Sequence, residues 1–124
     1  MPPRRRTSPT AGLAALQVCR VAGFAQAPRE AVATAVRFTL EELATRAPGR
    51  SVEVRVPPYA AVQCIAGPVH RRGTPPSVVE TDPVTWLDVA TGQLSWDDAL
   101  ASGRVTASGE RAALDQWLPL PLTP

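Results

Sequence analysis

The chain has no lysine and no asparagine, one histidine, two cysteines and one methionine in 124 residues. A single histidine, His70, excludes a multi-histidine metal site and any histidine-paired relay. Cys19 and Cys64 have neither metal-ligand nor redox-motif spacing. No apolar run approaches the ~18 residues of a membrane span. Without lysine, all 13 basic residues are arginine, set against 11 acidic ones for a net charge of +2. Three of those arginines, Arg4, Arg5 and Arg6, stand at the extreme N-terminus, and without them ten bases face eleven acids. A balanced domain has no phosphate-tracking field, so a nucleic-acid partner is not expected. Equally missing are a Gly-x-Ser-x-Gly elbow, a phosphate-cradling glycine loop and a histidine–carboxylate constellation. The adjacent acids Glu41-Glu42 and Asp97-Asp98 point around different sides of a helix rather than at one substrate. Cys64 as a nucleophile would need a partner such as His70, and on a strand it reads as a buried thiol. No enzymatic activity, cofactor or metal is expected.

What is present describes one globular domain: 44% hydrophobic and 19% charged residues, in a length that buries roughly two-thirds of its unfolded surface. The stretch Arg4–Arg6, Ala11 to Val18 and Ala25-Gln26-Ala27 imitates a signal peptide, but Gln17 and Arg20 interrupt its apolar part. It reads instead as a disordered basic tail over residues 1–9 followed by a helix, in a cytoplasmic protein without stable membrane insertion. A single domain is expected over 10–118, with a proline-rich tail over 119–124.

Proline maps the rest. There are 14, and the two longest stretches without one are Arg29–Ala47 and Val84–Leu118. Proline inside a helix costs about 3 kcal/mol, so both gaps read as largely helical. Val32, Val36, Leu40, Leu43 and Ala47 form one apolar stripe, with Arg37–Glu41 and Glu42–Arg46 as i,i+4 pairs. A shorter helix precedes it, from about Thr10 to Val21. Val52 to Val56 alternates as a half-buried strand. Pro57–Tyr59 turns the chain, with Tyr59 packing on the hairpin, and Ala60 to Ala66 returns with Val62 and Cys64 on one face. Gly67 to Pro76 is a loop, and Ser77 to Thr81 a third strand. Asp82-Pro83 opens a helix that carries Trp86, Leu87 and Ala90 inward and ends at Thr91-Gly92. Ser95 and Asp98 make a capping box for a helix burying Trp96, Ala99 and Leu100. Arg104 to Ala107 is a strand, and Glu110 to Leu118 a final helix presenting Leu114, Trp117 and Leu118. The predicted class is α+β, a small mainly antiparallel sheet with helices on one side.

From Ser77 to Leu118 these elements resemble the second half of the sterol carrier protein family. The residues that carry the likeness are Val78-Val79-Glu80-Thr81-Asp82, Trp86-Leu87-Asp88-Val89-Ala90-Thr91-Gly92-Gln93-Leu94 and Ala99 to Glu110 with Gly103 and Gly109. The likeness is greatest to the short, stand-alone bacterial members. It departs at Gly67–Pro76, where an arginine-bearing loop replaces a strand, and after Trp117, where a short tail replaces a covering helix. The resemblance implies a non-catalytic domain that holds a small apolar ligand, a fatty acyl chain or other lipid, between sheet and helices. Candidate walls are Val52, Val54, Val56, Val62 and Cys64 from the strands, and Trp86, Leu87, Leu94, Leu100, Leu114, Trp117 and Leu118 from the rest, although any of these also suits a plain core. At the mouth of such a cavity His70-Arg71-Arg72 could offer a planar donor fork to a phosphate or carboxylate head group, or simply be a solvated loop. An acyl chain burying ~10 methylenes gains about 8 kcal/mol gross. A membrane offers nearly as much, so shuttling or buffering is the role expected. The alternative is a protein-interaction module of the same fold, its cavity filled by its own side chains and its partner not identifiable from sequence.

Overall fold

The computed structural model describes residues 6–68, 77–109 and 114–122. The first helix, α1 (Pro9–Ala22), starts on Ser8, whose Oγ accepts the N–H of Ala11 at 3.1 Å, with Pro9 in the first turn. Residues 6–8 are tied down too, because the N–H groups of Arg6 and Thr7 donate to the Glu41 carboxylate at 3.2 and 2.9 Å. The boundary expected at residue 9 therefore moves toward the N-terminus, and Glu41 serves those two donors. Of the two anticipated i,i+4 pairs, Glu42–Arg46 forms, at 2.9 Å.

Helix α2 (Arg29–Arg46) is the centre of the molecule. Nine of its residues are buried, more than one stripe accounts for, because α1, α3 (Pro83–Thr91) and strand β2 (Ala60–Cys64) all lie against it. At the α1 crossing Gly12 has no room for a side chain: a Cβ there would stand 2.1 Å from Phe38 Cγ. At the α3 crossing Trp86 is completely buried, and its indole N–H donates to Thr39 Oγ1 at 2.8 Å. Thr39 in turn donates to the Ala35 carbonyl at 2.7 Å, one helical turn back.

The sheet runs in the order β2-β1-β3-β4, with β1 Val52–Val56, β3 Ser77–Thr81 and β4 Val105–Ser108. β1 pairs antiparallel with β2 and β3 antiparallel with β4, while β1 and β3 are parallel. Alternation puts Val52, Val54, Val56, Cys64, Val79 and Val105 on the buried face, opposite the helices, and Arg55, Glu80 and Thr106 in solvent. The α+β class and the one-sided sheet are as expected. β2 stops at Cys64 rather than Ala66 because Ile65 takes a left-handed backbone, φ 67°. Three hydrogen bonds hold it there: its N–H donates to the Ala47 carbonyl, and its own carbonyl accepts from Ser51 N–H and Oγ. Gly49 makes this junction possible, since a Cβ would lie 2.1 Å from the Ile65 oxygen.

After α3 the chain forms α4 (Trp96–Ala101), capped by Ser95, whose Oγ accepts the Asp98 N–H at 3.1 Å. With six residues, α4 buries only Trp96 and Ala99. Leu100, expected in the core, is 38% exposed, because the next position falls about 100° further round the helix. The expected final helix is represented by a single 3-10 turn, Asp115–Trp117; its first residues, 110–113, lie outside the described part. Residues 119–122 are not a free tail. Leu120 is buried and its N–H donates to the Ala90 carbonyl at 2.9 Å, which pins the segment across the end of α3.

Two outcomes follow for stability. Thr39→Val keeps the shape but strands the Trp86 N–H, and should cost about 1–3 kcal/mol in denaturant unfolding. A double-mutant cycle with Trp86→Phe should show coupling above about 0.5 kcal/mol, whereas additive effects would deny the bond any role. Gly12→Ala should lower stability by about 1–3 kcal/mol through overpacking against Phe38, exceeding the roughly 1 kcal/mol that alanine gains in helix propensity.

Candidate functional site

The residues proposed as cavity walls divide sharply. Val52, Val54, Val56, Cys64, Trp86, Leu87 and Leu114 are all 0% exposed. A side chain with no surface that water could touch borders neither solvent nor an internal void wide enough for a ligand. These residues are the packed core of the structure. Val62 is half-buried on β2, Trp117 is half-buried at the end of the 3-10 turn, and Leu100 stands on the outer side of α4. His70, Arg71 and Arg72 lie outside the described residues.

A cavity of about 300 Å³ opens elsewhere, where the end of α3 meets the start of α4 and the C-terminal segment crosses them. Its walls are Val89, Gly92, Leu94, Ser95, Trp96, Asp97, Asp115, Leu118 and Pro119. Local chemistry builds each side. Gly92 ends α3 in the left-handed conformation, φ 85°, which lets the N–H groups of Gln93 and Leu94 return to the Asp88 carbonyl. Three residues later the Ser95 cap starts α4 and sets Trp96, 5% exposed, into the wall. The Leu120–Ala90 hydrogen bond fixes the opposite side, bringing Leu118 and Pro119 over the gap. Leu94 and Leu118 are the two sequence-selected residues that line it. Val89, Trp96, Asp97, Asp115 and Pro119 were missed. The close succession of a glycine C-cap and a serine N-cap marks two abutting helix ends, and it was the signal available. Nothing local says that residues 115–119 close over that junction. The buried indole N–H of Trp117, next to this segment, has no hydrogen-bond acceptor among the described residues.

The titratable groups have structural work. Burial pushes the Cys64 thiol up to about 12 and raises that of Cys19, so both stay protonated at neutral pH and are poor nucleophiles. At Asp82, burial pushes the carboxyl pKa up. Bonds from the Thr85 hydroxyl and N–H, its own backbone N–H and the Arg104 charge outweigh this, and the net shift is downward. Thr85 Oγ1 donates to Asp82 at 2.5 Å and accepts Arg104 Nε at 3.2 Å, while Arg104 also reaches Asp88 at 3.4 Å. This chain of contacts joins β4 to the start of α3. Among the described residues no group of three His, Cys, Asp or Glu side chains could hold a metal ion, and no helix is long and apolar enough to cross a membrane.

A one-sided four-stranded sheet under a helical layer, with an apolar cavity at the α3–α4 junction and no activated nucleophile among the groups just described, has the form of a small binding domain. A family model described as a bacterial SCP ortholog matches residues 28–120, three quarters of the chain. The chain belongs to this bacterial sterol-carrier-protein-like family, and the likeness read from residues 77–118 is borne out. The match begins after α1, whose packing on α2 adds a helix in front of the matched region. No curated protein matches the chain.

Because the folded-state pKa of Asp82 lies below its unfolded value, its contribution is complete above the unfolded value and is lost as pH falls through the folded one. Asp82→Ala should therefore cost about 1 kcal/mol at neutral pH through loss of the cap. The gap between variant and parent should narrow in thermal melts as pH drops below about 3.9. A gap that stays constant down to low pH would show that the carboxylate charge is irrelevant.

Proposed function

We propose that this protein is a non-catalytic binder or carrier of a small apolar ligand, and that the ligand lodges in the cavity between α3, α4 and residues 115–119. The observation that carries the reading is the cavity itself. Its size, about 300 Å³, is at the lower end of small-molecule pockets, and Val89, Leu94, Trp96, Leu118 and Pro119 give it an apolar lining. Family membership supports lipid binding in general. The protonated, buried thiols support a role without covalent chemistry. A site of this size covers part of an acyl chain, so the gain from burial is modest and exchange with a membrane is easy, which suits transfer better than storage.

A second reading, an interaction module that holds no ligand, draws support from the complete burial of Val54, Val56, Trp86 and Leu87, which leaves the sheet–helix interior closed.

The neutral dye Nile red separates the two. The carrier should take it up at one site per chain, and Leu94→Trp, which fills the cavity, should reduce uptake at least about tenfold while the protein still melts cooperatively. Native mass spectrometry of protein purified from its own host should retain a lipid-sized mass. No dye uptake together with no retained mass would favour the interaction module and defeat the carrier.

A further inference from the structure

The cavity is apolar in body but charged in one sense only at its edge. Among the described residues that line it, Asp97 and Asp115 are acidic and none is basic. Neither carboxylate has an ion-pair partner among the described residues, and both belong to exposed positions. Among the described residues the surrounding chain does not correct the imbalance, and Arg111, four positions before Asp115, lies outside them. From Asp82 to Gly103 there are four aspartates and no base. Arg104, on the adjoining side, is engaged with Asp88 and Thr85.

Resting on the carrier reading, we propose that the ligand of this cavity is a cationic amphiphile: an apolar body seated against Leu94, Trp96 and Leu118, with an ammonium-type head held by Asp97 and Asp115. A carboxylate or phosphate head would meet two like charges, and the described wall offers it the neutral donors of Ser95 and Trp96 but no cationic side chain. Each repulsion is moderate in an open site, but the two act on one head group and in one direction. The selectivity is opposite in sign to that expected from an arginine-lined mouth. The site is the cavity, and the carboxylates decide which end-group it accepts.

Three probes of equal chain length test this on the full-length protein: octylammonium, octanoate and neutral octanol, titrated while the Trp96 indole and Gly92 amide are followed by NMR. Octylammonium should bind at least about tenfold more tightly than octanoate at low ionic strength. That ratio should shrink markedly between about 0.01 M and 1 M salt. In Asp97→Asn/Asp115→Asn the ratio should fall to about two- to threefold. Asp115→Asn alone, in the short 3-10 turn rather than in an α-helix, should lower it part-way if the double variant folds poorly. Octanol binding with octanoate equal to or tighter than octylammonium would overturn the head-group assignment and leave the carrier reading standing. An undiminished ammonium preference in the asparagine variants would overturn the role of these two carboxylates. Failure of all three probes, octanol included, would overturn the carrier reading and this inference with it.

Discussion

The indole N–H of Trp86 is the constraint around which the rest is arranged. It lies in the centre of the core, where a donor without an acceptor costs about 1–3 kcal/mol. Thr39 supplies the acceptor, and because its own hydroxyl proton goes back to Ala35, the pair is satisfied without water. The bond has one geometry, so it sets both the rotation and the axial position of α3 on α2. Once α3 is placed, Asp82 stands at the exit of β3 and Gly92 at the far end, where the cavity begins.

Around that axis the fold is strongly one-sided. β1 sits inside the sheet and presents three valines to the helices, while the solvent side carries the Glu53–Arg55 ion pair. Such exposed pairs contribute little to stability, so the outer face gives solubility and the inner face gives the fold. The interior is closed by this arrangement. Valines from β1, Val79 from β3 and the large side chains of α2 and α3 leave no exposed surface between them, and a cavity opens where the ends of α3 and α4 fail to meet.

That location has a chemical consequence. Helix termini gather capping groups, and N-termini favour acidic residues in their first turn, as Asp97 and Asp98 do in α4. A cavity built at such a junction inherits carboxylates, whereas one between sheet and helices would be lined by aliphatic side chains alone. The same local rule that starts α4 thus sets the electrostatic character of the wall.

Most of the secondary structure was legible because it depends on near neighbours. The stripe from Val32 to Ala47, the alternation from Val52 to Val56 and the caps at Asp82 and Ser95 each correspond to an element of the structure. The succession of elements from Ser77 to Leu118, with its glycines and caps, carried the family resemblance that the match bears out. What the sequence by itself determined is therefore the set of elements, their caps and the class of fold. Tertiary structure alone decided that β1 and β3 pair in parallel, that Ile65 turns left-handed to end β2, that Leu100 faces out and that Leu120 docks on α3. It also brought residues 89–97 and 115–119 together around the cavity on which the proposed function rests. The physical reason is range: periodicity and capping are local, whereas burial and cavities arise from segments far apart in the chain meeting or failing to meet.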